Sequence, residues 1–127
     1  MNSHSYTIIV KEKIMGCEIE NCIYHSGKYN KVLPTEIEYD ALSNLYKVMG
    51  DKTRLKIVFC LFEKACCVQE ISHMLNLSQS LISHQLIVLK QNKIVSNRRE
   101  KNRIYYSLAD NHIKLLLGLA REHIDEL

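Results

Sequence analysis

The stretch Leu77–Val95, LSQSLISHQLIVLKQNKIV, decides the fold. Ser78 is a good N-cap residue, and Leu81, Ile82, Leu86 and Leu89 then recur along one side of the helix it would start. Gln79, Ser80, Ser83, His84 and Gln85 fill the other positions with short hydrogen-bonding side chains. Immediately upstream, Val68, Ile71 and Leu75 line a shorter helix, and Asn76-Leu77 is a tight break between the two. Two helices joined by so short a turn predict a helix-turn-helix. The five polar side chains would then suit base edges and phosphates in a major groove. Taken alone, the same pattern is equally an ordinary solvated helix face, with His84 a surface or capping histidine.

The residues that follow tip that balance. Ile94–Leu108, IVSNRREKNRIYYSL, reads as two short strands around a turn at Glu100-Lys101-Asn102. Arg98, Arg99, Lys101 and Arg103 against Glu100 give this segment a net charge equal to the +3 of the whole chain. A basic hairpin tip placed directly after a helix-turn-helix is a wing, suited to phosphates or the minor groove.

The remaining sequence fits one modest domain. It has 127 residues, 46% of them hydrophobic and 24% charged, with four glycines and one proline, as expected of a compact and mainly helical protein. Residues 1–34 lack sustained periodicity and are expected to be an arm, disordered or metal-ligating. The domain itself is expected over residues 35–127. Ile37, Ala41, Leu45 and Val48 predict a first helix ended by Gly50, and a second runs from about Lys52 to Glu63 with Leu55, Val58, Phe59 and Phe62 inward. No apolar run approaches the 18 residues of a membrane span, and TIIV near the start is too short for a signal peptide. Five cysteines, an odd number that includes adjacent Cys66 and Cys67, make a poor disulfide framework and point to a reducing cytoplasm. Cys60, within the apolar second helix, is most simply core.

The last helix, Asp110–Leu127, carries two stripes in one rhythm. Ile113, Leu117, Ala120, Ile124 and Leu127 can face the chain's own core. His112, Leu116, Leu119, His123 and Glu126 lie roughly 100° around the helix and need another apolar partner, most economically the same helix of a second protomer. His112 and His123 are 11 residues apart, about 16 Å along the axis, so they cannot share one ion within a helix. If the partner helix runs antiparallel, Asp110 and His112 of one chain lie beside His123 and Glu126 of the other. Four such donors form a closed tetrahedral site acceptable to Zn²⁺ or Co²⁺. The plainer alternative is scattered polar groups at helix ends, with Asp110 an N-cap.

From about Tyr39 to Leu127 the chain resembles the ArsR/SmtB family of winged-helix metalloregulators, through the reading segment quoted above and the D-x-H…H-x-x-E set. The resemblance implies a mainly α winged helix-turn-helix with a small β-hairpin, dimeric through its last and first helices. It also implies release from DNA when metal binds, with Asp110, His112, His123 and Glu126 as ligands. KACCVQEI is similar to a cysteine segment with which some members bind soft metals, Cys67 standing at the first cysteine position. Gln69 replaces the second cysteine, and Glu70 falls where an acidic residue can ligate. On the arm, Cys17 and Cys22, with His25 beyond, depart from the usual spacing. A second site would draw on Cys17, Cys22 and Cys67 with Cys66, Glu70 or His25, and would suit Cd²⁺, Pb²⁺ or Zn²⁺.

The sequence therefore predicts a cytoplasmic, homodimeric repressor that binds inverted-repeat operator DNA when metal-free and leaves it on binding Zn²⁺ or a related divalent ion. A thiol-based sensor of soft metals or oxidants is the alternative. No membrane partner and no small-molecule substrate are expected. A zinc hydrolase is disfavoured, because four protein ligands leave no open position for water. An architectural DNA binder has no use for ligands at a seam.

Overall fold

The computed structural model describes residues 33–126, so the arm's Cys17, Cys22 and His25 lie outside the described residues. The elements are α1 (Glu36–Met49), α2 (Lys52–Cys60), β1 (Cys66–Cys67), α3 (Val68–Leu75), α4 (Gln79–Gln91), β2 (Val95–Glu100), β3 (Arg103–Leu108) and α5 (Asn111–Asp125). The chain divides into two compact units, one of residues 40–115, the other containing described residues 33–39 and 116–126.

Local chemistry sets the helix ends. Thr35 and Glu38 form a reciprocal capping box at the start of α1, the Thr35 N–H donating to Glu38 Oε2 (2.9 Å) and the Glu38 N–H to Thr35 Oγ1 (3.2 Å). Asp51 caps α2 through Arg54 N (3.0 Å), and Ser78 caps α4 through Leu81 N (3.2 Å). Asn76 closes α3 in the left-handed region (φ 53°), which asparagine tolerates better than most residues. The helix-turn-helix predicted on either side of Asn76-Leu77 is present as α3 and α4.

Within the unit of residues 40–115, Ile57, Val58, Ile71, Ile82, Leu86, Leu89 and Ile94 are sealed from solvent. Each such side chain contributes about 1.5–3 kcal/mol relative to exposure. Two details differ from the sequence reading. The second helix ends at Cys60 rather than near Glu63, and its burial falls on Ile57, Val58 and Leu61, with Leu55, Phe59 and Phe62 half-buried. Phe59 and Phe62 instead stack on each other, ring centroids 4.5 Å apart.

The hairpin gains a third strand that the sequence did not announce. Cys66 and Cys67 pair antiparallel with Tyr106 and Tyr105, giving the order β1-β3-β2. β2 and β3 pair from Val95↔Leu108 to Glu100↔Arg103, so the loop is only Lys101-Asn102, with Lys101 at φ 55°. In α5, Ile113 and Leu117 are buried, but Ala120 and Ile124 of the same stripe are exposed, Ile124 at 64%. Of the described residues in the stripe expected to face the chain's own core, only Ile113 and Leu117 are buried.

Candidate nucleic-acid interface and metal donors

Of the five polar side chains expected to read DNA, Gln79, Ser80 and His84 are exposed on α4, whereas Ser83 and Gln85 are half-buried. Beside the start of α4, an open cleft of about 540 Å³ is lined by Gln69, Ser72, His73, Asn76, Leu77, Ser78 and Gln79. The far end of α4 is fixed by Asn92, a residue the sequence reading passed over. Its Nδ2 donates to Val88 O (2.8 Å), and its Oδ1 accepts from Asn44 Nδ2 on α1 (2.9 Å). An asparagine directly after the reading helix was the available signal.

Arg98, Arg99, Lys101 and Arg103 are all exposed on the hairpin, but they are not equivalent. Arg98 lies 3.8 Å from Glu100 Oε2, an exposed pair worth little to stability. Arg103 turns toward β1, where its guanidinium N–H donates to the Cys67 sulfur at 3.9 Å.

The expected metal donors fall into groups. At the entry to α5, Asp110 Oδ1 accepts from the backbone N–H of His112 (2.8 Å) and Ile113 (3.4 Å), so Asp110 is an N-cap. The same oxygen lies 3.4 Å from His112 Nδ1, and the His112 side chain is 90% exposed. His123, in the last turn of α5, and Glu126, one residue beyond its end, are also exposed. Among the described residues, no three His, Cys, Asp or Glu side chains gather in a metal-holding group within one chain.

The cysteine region is more occupied than its sequence suggests. Cys67 is 4% exposed and sits at the N-cap of α3. Its N–H donates to Glu70 Oε1 (3.1 Å), while Glu70 Oε2 meets Lys64 Nζ at 3.5 Å. Those two bonds give Glu70 a structural role as a capping residue. The Cys67 backbone N–H, then its thiol, hold Glu70 below the usual carboxylate range, with Lys64 adding to the effect. The Cys66 thiol lies 3.5 Å from Lys64 O and 3.8 Å from Cys60 O, and burial pushes its pKa up, as it does for Cys60. A thiol held in this way is a poor nucleophile.

Residues 51–97, from the cap of α2 into the wing, match the family described as bacterial regulatory protein, arsR family. The chain is 31% identical to the cadmium resistance transcriptional regulatory protein CadC homolog of Staphylococcus aureus, covering 87% of this chain and 93% of that one. It is 29% identical to the transcriptional repressor SmtB homolog of a Synechocystis strain, over 82% and 81% of the two chains. Among solved structures, reduced HlyU from Vibrio cholerae superposes with a TM-score of 0.64 at 30% identity, covering 68% of this chain and 92% of its own. The solution structure of apo-NmtR gives 0.65 at 28% identity, over 76% and 82%. The matched family is one of regulatory proteins rather than enzymes. The fold is also that of a homodimeric winged helix-turn-helix DNA-binding domain from Mycobacterium bovis, with a TM-score of 0.67 at 24% identity over 76% of this chain and 92% of that one. The chain belongs to the ArsR family of bacterial regulatory proteins.

Proposed function

We propose that the protein is a homodimeric repressor that occupies operator DNA when metal-free and is released when Zn²⁺, or a related divalent ion such as Co²⁺, binds at the dimer seam. Gln79, Ser80 and His84 would read base edges, with Ser83 and Gln85 contributing less, and Arg98, Arg99 and Lys101 would neutralise phosphates. Asp110 and His112 of one protomer, with His123 and Glu126 of its partner, would hold the ion. Two relatives are named for a metal response or as SmtB-type repressors, which favours this class of effector.

The observation that carries the reading is the Asp110–His112 pair. A carboxylate oxygen 3.4 Å from an imidazole nitrogen, on a side chain turned almost wholly to solvent, is donor chemistry that Zn²⁺ accepts. Capping engages Asp110 Oδ1, the oxygen beside His112, and the second carboxylate oxygen can still take an ion. The apolar side chains left exposed on α1 and α5, Ile37, Leu42, Tyr46 and Ile124, supply what a partner protomer would bury. Metal can weaken DNA binding only through its differential affinity for two dimer conformations, and DNA must weaken metal binding reciprocally.

The thiol reading has one observation of its own, the contact between Arg103 and the Cys67 sulfur. A soft ion taking that sulfur, with Cys17 and Cys22 as further ligands and Glu70 beside it, would remove the partner of a wing guanidinium. Titrating the protein–operator complex with Zn²⁺, Co²⁺, Ni²⁺, Cd²⁺ and Pb²⁺ in turn separates the two. Release by Zn²⁺ that survives Cys67→Ser supports the seam. Release by Cd²⁺ or Pb²⁺ alone, lost in Cys67→Ser, supports the thiols.

A further inference from the structure

Helix α4 carries one large apolar side chain that packing does not explain. Ile87 is 54% exposed, although Ile82, Leu86 and Leu89 of the same helix are fully buried. At about 100° per residue, those three cluster on one side, and Ser80, His84 and Ile87 lie within about 60° of one another roughly opposite. Ile87 thus stands near the middle of the exposed face, on an i, i+4, i+7 line with two of the expected reading side chains. Gln85, by the same count, falls about 140° from Ser80 and is half-buried, which makes it the weaker reader.

Seven residues separate Ser80 from Ile87, about 10 Å of helix, or roughly three base-pair steps. An isoleucine brought against polar base edges would desolvate them without offering a hydrogen bond. In the major groove one base presents an apolar group, the C5 methyl of thymine. We propose that Ile87 is a specificity-determining residue that reads a thymine methyl in each half of the operator. This rests on α4 being the DNA-reading helix.

The test uses the full chain and a pool of random DNA duplexes. The parent is used to enrich a binding sequence, which is then remade with deoxyuridine in place of each thymine in turn. The expected result is one position per half-site where losing the methyl weakens parent binding about fourfold, the value of one buried methyl. Ile87→Ala should bind thymine and uracil equally there, while Ile87→Val, which keeps a branched apolar end, should still prefer thymine. Ile87 is outside the core, so the alanine variant should keep the parent's circular dichroism. Indifference of the parent to every uracil, or the same sensitivity in Ile87→Ala, overturns the proposal. If no sequence is enriched at all, the reading of α4 as a DNA helix falls with it, so the two failures are distinct.

Discussion

The reading unit and the last helix solve opposite problems. From Asp51 to Leu108, capping side chains, a left-handed Asn76, a two-residue loop and a sealed aliphatic core complete the structure within one chain. Helix α5 has a built beginning, where Asp110 caps it, and then presents His112, His123, Ile124 and Glu126 to solvent. A region satisfied within its own chain can be carried rigidly to DNA. On the proposed reading, a second protomer would cover the exposed end of α5, and an effector bound there would have the most leverage.

The sharpest way to break that contrast is His123→Ala. It removes a donor from the unfinished region and touches nothing in the reading unit, so operator affinity without metal should match the parent. With saturating Zn²⁺ the parent should lose affinity by a factor on the order of 5–150, and the variant should barely change. Fluorescence anisotropy at fixed salt decides it, and equal release by both proteins removes the seam from the mechanism.

Next in size comes the wing. Arg99→Ala should weaken binding to operator and random DNA alike, and reduce the salt slope by about two for a dimer, one phosphate per protomer. Arg103→Ala should change that slope less, because its guanidinium is directed at Cys67. Identical slopes for the two variants would mean that the Arg103–Cys67 contact gives way on DNA.

Smaller effects probe the self-sufficiency of the reading unit. Ser78→Ala removes the α4 cap and should cost about 1 kcal/mol in urea unfolding. Asn44→Ala, which deletes a solvent-exposed bond to Asn92, should cost about 0.5–1 kcal/mol and reduce operator affinity slightly by loosening the end of α4. Smallest is Glu70. A carboxylate held below its ordinary range stabilises the fold above that range and loses the contribution as pH falls through the lowered value. Glu70→Gln should therefore lose that contribution at pH 7, where the carboxylate is charged, and flatten the acid limb of the unfolding curve below about pH 4.5, where parent and variant should converge.

The sequence was most legible where local periodicity and turn chemistry act alone. Ser78, Asn76 and the aliphatic spacing through Leu89 placed the helix pair, and the charge of Arg98–Arg103 placed the wing. It was less legible where tertiary pairing overrides local signals. Nothing in Cys66-Cys67 announces a two-residue strand, because its hydrogen-bonding partner lies some 40 residues downstream at Tyr105 and Tyr106. Ile87 was hidden by a different bias, since an apolar residue within a helix reads as core until its angular position is worked out. The proposed metal donors were legible as residue types and spacing, but the partner that would unite them is not contained in one chain's pattern.

The strand order also bears on how the protein stays in solution. With β3 between its two neighbours, β2 is an outer strand, and its outward row of backbone N–H and C=O groups could template pairing with another chain. Arg98, Arg99 and Glu100 sit along that edge. Stripping the wing of charge would thus leave a bare edge and, on the proposed reading, a weaker hold on phosphate as well, so the same residues would guard against misassembly and serve DNA binding.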